Sequence, residues 1–227
     1  MKIGILGTGI VARTLGGRMA ELGHEIVLGT RDVDALLART EPDADGHPPF
    51  SEWLSDQPNI TTMPFDEAAI HGEIVFNATA GTASIDALQA AGEPNLAEKI
   101  LVDLANPLDF SGGFPPVLSV SNGDSLGEQI QREFPRAKVV KTLNTINSDL
   151  MVDPGELAGG EHTMFVCGDD EEAKKRVTEI LEDWFGWNDV IDLGDITNSR
   201  ATEMLLPMWL RLYGKFGTPH VAFRVVR

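Results

Sequence analysis

The sequence predicts an α/β fold: a doubly wound, mostly parallel sheet with a small α/β addition at its C-terminal end. Three observations carry this. An apolar run at the start of the chain passes through a glycine-rich turn straight into a helical pattern. A second apolar run follows at the distance a β-α-β unit requires. Further along, clusters of small or polar residues fall one after another at the carboxyl ends of predicted strands, the rim where such sheets bind ligands.

The first strand, Ile3 to Leu6, ends in Gly7-x-Gly9-x-x-Ala12. Gly7 permits the tight turn, Gly9 leaves room for a pyrophosphate against the backbone, and Ala12 lets helix and strand pack closely. The helix carries Val11, Leu15, Met19 and Leu22 at helical spacing and stops at Gly23. Its positive end, with Thr8, Ile10 and Val11 beside the two glycines, is a phosphate cradle.

The second strand, Glu25 to Leu28, leads into Gly29-Thr30-Arg31-Asp32. Arg31 lies 31 − 7 = 24 positions after the first glycine, near the roughly twenty expected of the residue that selects the nucleotide. A guanidinium pairs with a 2′-phosphate and Thr30 adds a hydroxyl, so NADP is favoured. The alternative makes Arg31 a surface charge and Asp32 a ribose ligand or a helix N-cap.

Next come a helix (Val33 to Arg39), a polar Pro42–Pro58 segment read as a surface excursion, a strand (Ile60 to Met63) and a helix (Phe65 to Ile70). The strand Ile74 to Asn77 ends at Ala78-Thr79-Ala80-Gly81, a turn suited to line the ribose and nicotinamide, before the helix Ser84 to Ala91. The strand Ile100 to Asp103 brings Asn106 to the cofactor's polar end, with the loop Asp109–Gly123 as a wall for a second substrate. Ser125 and Glu128 form a capping box on the next helix. The strand Lys138 to Thr142 runs on towards Asn144 and Thr145. Residues 1–150 thus form a Rossmann-type NADP-binding domain. Residues 151–227 form a strand–helix–strand–helix extension packed on it, and its final helix, Ser199 to Lys215, is apolar on most faces and expected to be buried against the domain or a second subunit.

The 227 residues are 42% hydrophobic, with a net charge of −17 and a single cysteine. That charge disfavours nucleic acid and anionic membranes. No stretch is long and apolar enough to span a bilayer, and a first strand beginning at residue 2 leaves no room for a signal peptide. The expectation is a cytoplasmic protein with Cys167 as an inert core residue.

No catalytic set assembles. The five histidines are scattered without metal-ligand spacing, and no metal site is expected. Lys141 falls within a strand, and the 77 residues after position 150 are too few for the helical domain of hydroxyacid dehydrogenases. Hydride transfer between two stacked cofactors needs no protein acid or base. The alternatives are an NADP-sensing module without turnover, or a dehydrogenase or imine reductase for a small substrate with Tyr213 or Asp109 as acid.

Gly7-Thr8-Gly9, Gly29-Thr30-Arg31, Val140-Lys141-Thr142-Leu143-Asn144-Thr145-Ile146, Val166-Cys167-Gly168-Asp169-Asp170 and Asn198-Ser199-Arg200 with Glu203 resemble the NADP:coenzyme factor 420 oxidoreductase family. The resemblance implies an enzyme that passes a hydride between NADP(H) and an 8-hydroxy-5-deazaflavin and that often dimerises. It assigns Thr8, Thr30 and Arg31 to the NADP phosphates. Asn144 departs from archaeal members, which carry a His there near the deazaflavin. The Lys-Thr-Leu-Asn-Thr form is closer to the cytoplasmic domain of metalloreductases, which pass electrons to a flavin. Site residues expected near the nicotinamide are Ala78, Thr79, Ala80, Asn106 and Asn144.

Overall fold

A computed structural model describes residues 1–43 and 46–227. Its elements in chain order are β1 (Lys2–Leu6), α1 (Ile10–Glu21), β2 (Glu25–Thr30), α2 (Val33–Leu37), α3 (Phe50–Ser55), β3 (Ile60–Pro64), α4 (Phe65–His71) and β4 (Ile74–Asn77). They continue with α5 (Ser84–Ala91), α6 (Glu93–Leu96), β5 (Ile100–Asp103), β6 (Leu108–Asp109), β7 (Val117–Leu118), α7 (Leu126–Glu133) and β8 (Lys138–Lys141). The last are α8 (Ser148–Val152), β9 (Met164–Val166), α9 (Glu171–Ile180), β10 (Val190–Asp192) and α10 (Ser199–Phe216).

Six parallel strands form the central sheet in the order β3-β2-β1-β4-β5-β8. The order reverses between β1 and β4, so a crevice opens there at the carboxyl ends. Successive residues point to opposite faces, and both faces are covered. Ile3, Ile5, Phe76, Val102 and Val140 belong to one core, and Val27, Val75, Leu101 and Val139 to the other. Burial on both sides is why these strands read as unbroken apolar runs. On β1 a Cβ at Gly4 would stand 2.3 Å from the Ala68 carbonyl oxygen, so only glycine lets α4 lie this close.

In the extension, β9 and β10 pair parallel, and β9 joins β8 through an antiparallel bridge between Lys141 and Cys167. Cys167 is fully buried, and burial pushes its thiol up to about 12, with Lys141 opposing.

Four expectations are corrected. The Pro42–Pro58 segment is not only a surface excursion: it contains α3, whose Phe50 is 2% exposed and whose Trp53 and Leu54 pack on the same core at helical spacing. Residues 44 and 45 of that segment lie outside the described residues. The strand expected to run through Thr142 stops at Lys141, and Leu143 turns the chain with a positive φ of 58°. Ser125 caps α7, but the Glu128 carboxylate turns to Ser125 Oγ and Arg200, so the capping box closes on one side only. Within one chain helix α10 is buried against the domain along one stripe and not on most faces. Its buried stripe is Ser199, Thr202, Glu203, Leu206 and Leu210, while Met208 and Phe216 are exposed.

Candidate functional site

The turn after β1 is held by the backbone. Gly7 has a φ of 119°, donates its N–H to the Gly29 carbonyl at 2.9 Å, and leaves 2.6 Å between a would-be Cβ and the Ala78 oxygen. Helix α1 then begins at Ile10 and Val11 with no side-chain cap and no acidic residue in its first turn. By contrast α2, α7 and α9 are capped by Asp32, Ser125 and Asp170. The first N–H groups of α1 therefore await an acceptor. A Cβ at Gly9 would meet nothing within 4 Å, so the space above the helix end is open. An uncapped positive helix end beneath an open glycine fits a pyrophosphate.

A cavity of about 620 Å³ extends from Thr8 and Gly9 to the segment between Leu36 and Phe50, with Arg39 on its wall. Arg13 forms its floor and was not legible in the sequence. Its guanidinium donates to the carbonyls of Thr8 (3.1 Å) and Pro48 (2.8 Å) and lies 5.4 Å from the Phe50 ring centre. Burial works against its charge and lowers its pKa. Thr30 is half-buried at the end of β2 and Arg31 is exposed beside it. Asp32 Oδ1 accepts the Ala35 N–H at 2.9 Å, which engages this carboxylate in capping α2.

A second cleft, about 260 Å³, lies at the ends of β4 and β5. Val11, Ala78, Thr79, Ala80 and Asn106 line it, with Phe110 from the loop after β6 at its mouth. Among the described residues no ionisable side chain lines it. Thr79 donates its hydroxyl to Asn77 Oδ1 at 2.7 Å, and Asn77 Nδ2 donates to Asp103 at 2.8 Å. A Cβ at Gly81 would fall 1.9 Å from the Asn106 carbonyl oxygen, so this turn requires glycine.

Asn106 and Asn144 form a reciprocal pair. Asn106 Nδ2 donates to the Asn144 carbonyl (2.8 Å), and Asn144 Nδ2 donates to Asn106 Oδ1 (3.0 Å). Asn144 is 3% exposed and lies behind Asn106, outside the cleft lining. The structure therefore brings Gly7, Thr8, Gly9, Ile10 and Val11 together with Ala78, Thr79, Ala80 and Asn106 along one rim. Thr30 and Arg31 stand at its β2 end, and Asn144 is one layer deeper.

Below the second cleft sits a buried ionic triad. Lys141 Nζ reaches Asp103 at 2.8 Å and Glu203 at 2.9 Å, and also donates to the Ala105 carbonyl. Lys141 is fully buried; burial opposes its charge, but Asp103 and Glu203 outweigh it and raise its pKa. Glu203, on α10, also accepts the N–H groups of Leu126 (2.9 Å) and Gly127 (3.0 Å) at the start of α7.

Fold and crevice together define a dinucleotide-binding type of α/β protein. Residues 2–107 match the family described as NADP oxidoreductase, coenzyme F420-dependent. A crystal structure of a candidate F420-dependent NADP reductase from Arthrobacter sp. FB24 is 57% identical, with 100% of each chain covered and a TM-score of 0.96. The F420-dependent NADP reductase of Methanocaldococcus jannaschii is 26% identical over 99% of this chain and 98% of its own. Metalloreductase STEAP3 of Rattus norvegicus is 29% identical over 92% of this chain, which spans only 38% of that protein's length. The chain belongs to the coenzyme F420-dependent NADP oxidoreductase family and is an NADP-dependent enzyme. Among the described residues no helix is long and apolar enough to cross a membrane.

Proposed function

We propose that the enzyme transfers a hydride between NADP(H) and a deazaflavin, with the nicotinamide in the 260 Å³ cleft. The observation that carries this reading is the cleft lining: small, apolar and hydroxyl groups with one carboxamide face, and among the described residues no ionisable side chain. Such a wall suits two flat rings held in contact, a reaction that needs orientation and exclusion of water rather than a protein acid or base. When bound, NADPH supplies the hydride and leaves as NADP⁺.

The protein's own groups divide the remaining work. Gly7, Thr8, Gly9, Ile10 and Val11 hold the pyrophosphate, and Thr30 and Arg31 hold the 2′-phosphate. Ala78, Thr79, Ala80 and Asn106 shape the ring site, with Asn144 fixing Asn106. A small-substrate reductase fits less well, because neither named acid lines the cleft. Tyr213 packs on Trp209 and Phe114, and Asp109 accepts the Ser111 N–H at 2.8 Å.

Anaerobic NADPH oxidation, run in parallel with oxidised deazaflavin and with free FMN, tests the acceptor. Bleaching of the deazaflavin alone is expected. Reduction of FMN alone moves the enzyme to the flavin reductases, and NADPH binding with neither acceptor reduced defeats the proposal. A homodimer is part of the same reading, with exposed Met208, Phe216 and Phe114 as its apolar face. Sedimentation at micromolar concentration should give twice the chain mass, and a monomer there removes the dimer.

A further inference from the structure

The triad of Asp103, Lys141 and Glu203 does more than link α10 to the sheet. Every polar partner of its two carboxylates is a donor. Asp103 receives Lys141, Asn77 and the Ala105 N–H, and Glu203 receives Lys141 and the N–H groups of Leu126 and Gly127. Among the described residues neither carboxylate has an acceptor as partner. Two negative charges thus face one ammonium, and the end of α7 offsets about half of the surplus. The remainder lies against Ala105, which lines the cleft, because Asp103 accepts the Ala105 N–H and Lys141 donates to the Ala105 carbonyl. Buried charge is poorly screened by salt.

We propose that this surplus negative charge tunes the redox step, favouring the cationic oxidised nicotinamide over the neutral reduced ring and so making bound NADPH a better hydride donor. The inference rests on the reading of the 260 Å³ cleft as the ring site. Asp103 and Glu203 are then positioning residues, acting through space and through the Leu104–Asn106 strip rather than by contact.

Calorimetric Kd values for NADP⁺ and NADPH test it, with 2′-phospho-ADP-ribose as a ligand that lacks the ring. Glu203→Gln and Asp103→Asn each remove one negative charge from different elements, so loss of one variant to misfolding leaves the other. In each, Kd for NADP⁺ should rise about three- to tenfold relative to NADPH, as expected of one charge at moderate distance in a partly polarisable interior. The ring-less ligand should bind as before. Glu93→Gln removes a half-buried carboxylate paired with Arg136 at the amino ends of β5 and β8, away from the cleft at their carboxyl ends, and should leave the ratio unchanged. An unchanged ratio in both buried variants, or equal weakening of all three ligands, overturns the inference. Ala80→Phe, which fills the cleft, separates this from failure of the underlying reading. If it weakens NADPH no more than the ring-less ligand, the ring is not in the cleft and both ideas fall.

Discussion

Replacing Lys141 with Met should destabilise the fold by about 3–5 kcal/mol, the size expected when one partner of a buried ion cluster is removed. The ammonium is fully buried between Asp103 and Glu203, and Met fills a similar volume without answering either charge. The carboxylates would repel each other, and the Ala105 carbonyl would lose its donor. Denaturant unfolding should record the loss as a lower midpoint at constant slope. The double variant Lys141→Met with Glu203→Gln should lose less than the sum of the two singles, because it removes the repulsion that the first creates. A loss below about 1 kcal/mol would mean the cluster is solvated or neutral, against the partners described. The pH dependence has a definite sign. The folded pKa of Lys141 is raised, so its contribution is fully present below the unfolded value near 10.4 and is lost only as pH climbs through the folded one.

Lys141 also marks the boundary of what the sequence makes legible. That Lys138 to Lys141 form a strand follows from local pattern, and so do β1, β2, β4 and β5, because burial on both faces leaves a signature within each segment. That the same lysine is gripped by Asp103 from β5 and Glu203 from α10 does not, since both partners are remote in sequence. Arg13 behaves likewise. It lies outside the apolar stripe of α1, and its partners Pro48 and Phe50 come from a stretch whose prolines and polar residues conceal a helix. The glycine turn is legible because Gly7 answers a local steric demand, a positive φ, while Gly9 leaves the space above the helix end open. The apolar pattern carries the strand past Lys141 and so places Asn144 on the rim. The left-handed turn at Leu143, a conformation bulky side chains rarely adopt, sends it behind Asn106 instead. Helix α10 shows the converse: its composition is apolar on most faces, yet one stripe meets the rest of the chain and the other apolar residues are left for a second subunit.

Arg31→Ala should weaken NADPH by about 1.5–3 kcal/mol, the range for hydrogen bonds to a charged group, and leave NADH nearly unchanged. At about 1.4 kcal/mol per decade this is a tenfold or greater loss of selectivity. Arg31 is exposed at the end of β2, and among the described residues no carboxylate pairs with it. On the proposed reading its guanidinium would meet a dianionic phosphate without first breaking an internal ion pair, with Thr30 beside it as a further donor. Asp32 is engaged at the start of α2, so its carboxylate does not complete the ribose-binding geometry that would favour NAD. Because Arg31 is solvent-accessible, the difference between the nucleotides should shrink as salt rises, whereas a contribution from the buried floor of the cavity would not. Kd values for NADPH and NADH at low and high ionic strength decide the matter. Equal losses for the two nucleotides would mean that Arg31 senses the pyrophosphate they share, and selectivity would then pass to Thr30 or to Arg39 on the wall of the 620 Å³ cavity.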